Sequence, residues 1–184
     1  MTSIFFTIGH STRTIIEFVE LLQEHGVELV VDVRSMTRSR ANPQFNWESL
    51  SESLAAWRIG YEHIAELGGL RGKAHLAEHS PNAYWRVRGF RNYADYALTA
   101  PFASGLTRLR DRGRQRRSAI MCAEAVWWRC HRRIIADYLV AQGEHVVHIL
   151  GRAQFEEATM TPSAKLRRDG TITYPGESSR SDSR

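Results

Sequence analysis

Hydrophobic positions along the chain alternate between two rhythms. Apolar runs rich in β-formers occur at Ile4 to Ile8 and Glu28 to Arg34, and further short strand segments at Tyr61 to Leu67, Ser118 to Cys122 and His145 to Leu150. Runs of this length bounded by turn residues read as buried strands. Between the first two, Ile15, Phe18, Val19 and Leu22 recur at helical spacing. Thr14 and Glu17 form a capping box at that helix's start, and Gly26 stands just past its end. A second helix is predicted from Asn46 as N-cap, with Trp47, Leu50, Leu54 and Trp57 on one face and Gly60 ending it. A third runs from Arg91 to about Arg112, with Phe102, Leu106 and Leu109 inward, and a fourth from about Arg129 to Ala141, closed by Gly143. The stretch from Arg71 to Gly89 reads as a long irregular loop.

This alternation predicts a three-layer α/β/α sandwich around a largely parallel five-stranded sheet, Rossmann-like in kind. The expected organisation is one α/β domain over residues 1–151, a C-terminal extension over 152–175 with a small hairpin around Asp169-Gly170, and a disordered tail over 176–184.

Composition narrows the class. The chain has 184 residues, 42% of them hydrophobic, enough for a core without covalent staples. No apolar run approaches membrane-spanning length. The first residues lack a basic segment and a cleavage site, so a cytoplasmic protein is expected, with no membrane partner. Net charge is +5, and of the 25 Lys and Arg residues only Lys73 and Lys165 are lysine. Arginine offers a planar fork of donors suited to phosphate or carboxylate, so an anionic small molecule or nucleic acid is the expected partner. A GC-rich genome, which also favours Arg codons, is an alternative source of the excess.

Parallel sheets bind ligands at the carboxyl ends of their strands. The first strand is followed by His10, Ser11 and Arg13, the second by Asp32, Arg34, Arg38 and Arg40. The third leads to Glu66, Gly68, Gly69 and Arg71, the fourth to Cys122, Glu124, Cys130, His131 and Arg132. Four loops thus deliver titratable groups to one edge. As a metal clip, C-x7-C-H is poorly spaced for structural zinc, so no metal site is assigned and the cofactor is left unknown. As thiols the pair fares better: Cys130 lies near a helix start beside Arg129, His131 and Arg132, which favour thiolate. The catalytic candidates are Cys122, Glu124, Cys130, His131 and Asp32. The substrate-binding candidates are His10, Ser11, Arg13, Arg34, Arg38, Arg40, Glu66, Gly68, Gly69, Arg71 and Arg132. Trp127 and Trp128 read as core or as a stacking surface.

The segments "TIGHSTR", "VVDVRSMTRSRANPQFN", "YEHIAELGGLRG" and "MCAE…CHRR", in this order, closely resemble the family called domain of unknown function 488. The resemblance implies that His10, Ser11, Asp32, Arg34, Pro43, Phe45, Glu66, Gly68, Gly69, Cys122, Glu124, Cys130, His131 and Arg132 are its characteristic residues. It implies no particular reaction. The resulting expectation is an enzyme, a hydrolase or transferase with a reactive cysteine, acting on a phosphate-bearing substrate. A nucleic-acid-binding module without catalysis and a metal- or redox-sensing thiol protein are the alternatives.

Overall fold

Strands β1 (Ile4–Gly9) and β4 (Ser118–Cys122) are buried along nearly their whole length, which only a sheet covered on both faces permits. With β2 (Leu29–Asp32), β3 (Gly60–His63) and β5 (His145–Gly151) they form parallel ladders, and β6 (Gln154–Glu157) adds an antiparallel edge, in the order β3-β2-β4-β1-β5-β6. The computed structural model describes residues 3–72 and 80–176. His75 and His79 of the long loop, and the tail from 177 onward, lie outside the described residues.

Side chains alternate across the sheet and define two cores. Phe6, Ile8, Val30, Ala119, Met121 and Val147 face α1 (Ile15–Glu24) and α2 (Trp47–Ala56). Phe5, Val31, Ile120, Cys122 and Val146 face α3 (Arg88–Tyr96), α4 (Ala100–Gln115) and α5 (Arg132–Ala141). The fold is therefore a Rossmann-like α/β/α sandwich. The Thr14–Glu17 capping box is fully formed.

The departures from expectation have local causes. The sheet has six strands rather than five. The sixth is exposed and polar, so it carries no hydrophobic period, and backbone pairing to β5 forms it after a turn through Ala153 (φ 52°). Its Gln and Glu side chains suit an edge that must not pair further. The third strand stops at His63 because Leu67 and Gly68 donate back to the carbonyls of Ile64 and Ala65, closing a 3-10 turn over Ala65–Leu67. The single helix expected from Arg91 to Arg112 is two. Pro101 has no N–H for the Ala97 carbonyl, and the Tyr138 hydroxyl donates to it instead, at 3.1 Å. α5 begins at Arg132 and not Arg129, because Cys130 is extended (φ −129°, ψ 150°) between a 3-10 turn over Trp127–Arg129 and the helix.

Beyond β6 the chain folds back onto α5. Thr161 N–H and the Tyr174 hydroxyl both donate to the buried Asp137 carboxylate, and β7 (Lys165–Leu166) pairs with β8 (Ile172–Thr173) around Asp169 and Gly170. Among the described residues no helix is long and apolar enough to cross a membrane.

α4 lies close against the sheet. A Cβ placed on Gly113 would stand 2.1 Å from the Phe5 ring, which is fully buried and cannot retreat. Gly113→Ala is therefore expected to destabilise the domain by about 1–3 kcal/mol through overpacking, outweighing the roughly 1 kcal/mol gain in helix propensity. Chemical denaturation checks this, and a stabilised variant would contradict it.

Candidate active site

The carboxyl ends of β1, β2 and β4 meet because Gly9 has no side chain. A Cβ there would overlap the Glu124 carbonyl at 1.8 Å. The loop after β4 instead lies directly on the end of β1, where His10 N–H donates to the Cys122 carbonyl (2.9 Å) and Ser11 N–H to that of Ala123 (3.0 Å). Ser11 adopts φ 49° to make this turn.

Behind this junction stands a buried polar frame. Arg34 donates to both oxygens of the fully buried Asp32 and to the Phe45 carbonyl. Tyr61 donates to the same carboxylate (2.7 Å). The remaining Arg34 nitrogen reaches His10 Nε2 at 3.3 Å. Arginine can only donate, so Nε2 accepts and His10 carries its proton on Nδ1, which donates to the Ser11 carbonyl (2.8 Å). Burial, with a further push from Arg34, lowers His10 to about 4, and its ring stacks on Phe45. The "GHS" and "DVR" motifs thus build a neutral, rigid support.

In front of the frame lies the thiol pair. Cys122 ends β4, and the extended Cys130 turns its sulfur back to within 2.7 Å of it. Both cysteines are free and buried. Around Cys130 Sγ stand Arg132 Nε (3.4 Å), the Arg132 backbone N–H at the start of α5 (3.5 Å) and His131 Nδ1 (3.5 Å). His131 Nε2 faces the Val33 carbonyl at 2.9 Å, so it holds a proton there, and His131 favours a thiolate at Cys130 only with a second proton on Nδ1, as a cation. Burial opposes ionisation of either sulfur, yet the two divide. Cys130 falls well below the usual thiol range, because the Cys122 hydrogen bond, His131 and Arg132 all favour its thiolate. Cys122 is pushed well above it, by burial and by the sulfur it faces. The arrangement is a pair of facing sulfurs whose surroundings favour negative charge on Cys130 over Cys122.

Arg132 is 1% exposed and fully engaged, by Cys130, by Thr7 Oγ1 (3.5 Å) and by the Glu124 carbonyl (2.6 Å). Thr7 also bonds His148 (2.7 Å), whose ring stacks on Trp127 and is lowered to about 4 by burial and by Arg132.

The pair forms the floor of a cleft of about 460 Å³ lined also by Arg34, Gly69, Glu124, Arg129 and His131. Its walls include Met36, Leu70, Val87 and Phe90. Of the sequence candidates, Arg34, Gly69, Cys122, Glu124, Cys130 and His131 line this cleft, and His10, Asp32 and Arg132 lie just behind it. The others stand elsewhere. Arg38 is exposed and paired with Glu48, and Arg40 is exposed. Arg13 binds the Gly9 and Leu150 carbonyls. Arg71 caps the turn through the Gly68 and Ala65 carbonyls and lies over the Tyr96 ring. The Glu66 carbonyl accepts from Tyr96.

Arg129 and the apolar walls were not among the sequence candidates. Arg129 has a signal, its position between the cysteines, but Met36, Leu70 and Val87 lie outside the helices and strands and Phe90 lies in α3, so the four share no period. His10 and His63 are both engaged elsewhere: His10 Nε2 faces Arg34, and His63 Nε2 faces the Arg34 carbonyl at 2.9 Å. Among the described residues no group of three or more His, Cys, Asp or Glu side chains is placed to hold a metal ion.

Fold and site define a Rossmann-like α/β domain with two free, facing cysteines at the carboxyl edge of its sheet. The sequence profile of the family described as Domain of unknown function DUF488 matches residues 14–139, well over half of the chain, and the chain belongs to that family. No curated protein and no solved structure matches it significantly.

Two outcomes follow from this geometry. A Cβ on Gly69 would stand 2.4 Å from His131 Nδ1. Gly69→Ala is expected to displace that ring and move the pH at which Cys130 becomes alkylatable upward; an unchanged pH profile of alkylation would contradict it. His10 and His148 protonate near 6.5 when unfolded and near 4 when folded. The folded chain binds fewer protons in that window, so stability is full above about 6.5 and falls as pH drops toward 4. Denaturation at a series of pH values should show this slope, reduced in His148→Gln; an equal slope in the variant would count against it.

Proposed function

We propose that the chain is a cysteine-dependent enzyme of the hydrolase or transferase type, with Cys130 as nucleophile and a phosphate-bearing substrate. The observation that carries this reading is the Cys130 sulfur, set among Cys122, His131 and Arg132 and lining an open cleft, partners that favour its thiolate. A buried structural cysteine needs none of these partners.

Arg34 and Arg132 spend their donors within the protein, so they set the field of the site more than they grip a ligand. The guanidinium of Arg129, exposed at the rim, is the group suited to meet the substrate's anion. Met36, Leu70, Val87 and Phe90 suit an apolar or aromatic portion, as a nucleotide base would present. Among the described residues, Glu124 is the one carboxyl group lining the cleft. In the reading's chemical step the Cys130 thiolate bonds to phosphorus, the bond from phosphorus to the leaving oxygen breaks, and that oxygen takes a proton from Glu124. Water then attacks the phosphorus with Glu124 as base, releasing phosphate and restoring the thiolate.

The competing reading, nucleic-acid binding without chemistry, draws on the arginine excess. Four arginines of α4 have acidic partners within the protein. Arg108 and Arg112 both pair with Glu62, Arg110 with Glu144 and Arg114 with Asp111.

Turnover of a panel of nucleotides and phosphomonoesters tests the proposal. Cys130→Ser is expected to abolish activity, Glu124→Gln to reduce it by about 10²–10⁴-fold, and Arg129→Ala to raise KM more than it lowers kcat. Full activity in Cys130→Ser, or no turnover of any phosphate ester, would overturn it.

A further inference from the structure

The proposed reaction needs a thiolate at Cys130 but gives Cys122 little to do beyond one hydrogen bond. Cys122 is on the central strand β4, fixed by parallel neighbours on both sides. Its sulfur touches the one ionised sulfur in the site, and both residues line the cleft. Two thiols in contact, one ionised and the other protonated, reached from solvent through an open hollow, are the components of a redox couple.

We propose that Cys130 and Cys122 are a peroxide-reactive pair, Cys130 the attacking and Cys122 the resolving sulfur, which closes to an intramolecular disulfide. The inference rests on the reading of Cys130 as the reactive thiolate and adds a second chemistry at the same sulfur. In the first step the thiolate attacks one oxygen of hydrogen peroxide and the O–O bond breaks. Sulfur becomes a sulfenic acid, and the departing hydroxide takes a proton and leaves as water. In the second step Cys122 loses its proton and its sulfur bonds to the sulfenic sulfur. The S–O bond breaks and a second water leaves. Together the two thiols give up two electrons and two protons, and the peroxide is reduced to two waters. An external dithiol reverses the bond.

The surroundings favour both steps. Arg132 Nε, its backbone N–H and His131 Nδ1 stabilise the attacking thiolate. Contact between the sulfurs means that resolution needs no rearrangement of the loop that carries Glu124 and Arg129. Closure consumes the nucleophile and ties that loop at both ends, so a site built this way is silenced by oxidant and recovered by reductant.

The full chain, reduced and freed of reductant, is treated with graded hydrogen peroxide and read by intact mass and by thiol alkylation. The expected result is the mass of two hydrogens lost, both thiols becoming unreactive together, and full recovery with dithiothreitol. In Cys122→Ser, peroxide is expected to add oxygen to Cys130 and to make it reactive toward a sulfenic-acid probe. Three results would overturn the proposal: oxygen accumulating on Cys130 of the natural chain while Cys122 stays alkylatable, disulfide-linked dimers as the main product, or two thiols untouched by peroxide. Turnover of the reduced protein is measured in parallel. Turnover lost in Cys130→Ser without an internal disulfide defeats this inference alone. A reversible disulfide in a protein that turns over no phosphate ester leaves it standing and defeats the hydrolytic reading.

Discussion

A negative charge on a buried sulfur is the constraint that the rest of the site serves. Removing a thiolate from water is costly unless charges and hydrogen bonds replace the lost solvent. Here a guanidinium, a backbone N–H at a helix start, a histidine ring protonated on both nitrogens and a neighbouring S–H would do so. Each is fixed in turn. Arg132 is held by the Glu124 carbonyl and Thr7, His131 by the Val33 carbonyl and by the bare Gly69 backbone, and Cys122 by its strand.

The same constraint explains why so much of the arginine is spent internally. Asp32 and Arg34 are both buried, and each would be expensive alone. Joined to Tyr61, Phe45 and a neutral His10 they form a stiff layer beneath the thiol pair. Removing one partner of such a layer strands a charge in the interior, so these residues are positioning groups whose chemistry is to stay as they are. The reactive and substrate-facing groups are fewer: Cys130, Cys122, His131, Glu124 and Arg129, against walls of Met36, Leu70, Val87 and Phe90.

The layer architecture was legible because β1, β2, β4 and β5 are buried runs and the Thr14 capping box is a local signal. The edge strand β6 was not, since its four residues are all exposed and only backbone pairing makes it a strand. The split between α3 and α4 turned on Pro101 and on a hydroxyl, Tyr138, far away in sequence. At the site, strand-end position picked out Cys122, Cys130, His131 and Glu124, because that rule reads topology. Position could not separate an arginine that faces a ligand from one that braces a carboxylate. Arg38 and Arg40 follow β2 as Arg34 does, yet the chain carries them to the exposed surface. That distinction depends on which way side chains turn after the strand, and partners such as Phe45 and Glu124 act there through backbone oxygens that carry no sequence signature.

The central claim is that Cys130 is ionised where an ordinary thiol is not. Ultraviolet titration of thiolate absorbance, on the reduced natural chain and on Cys130→Ser, measures it directly. The account predicts one thiolate appearing well below the ordinary thiol value of about 8.5, absent from Cys130→Ser, while Cys122 resists ionisation far into the alkaline range. A natural chain with no thiolate until the ordinary range, or a low-pH step that survives in Cys130→Ser, would contradict it.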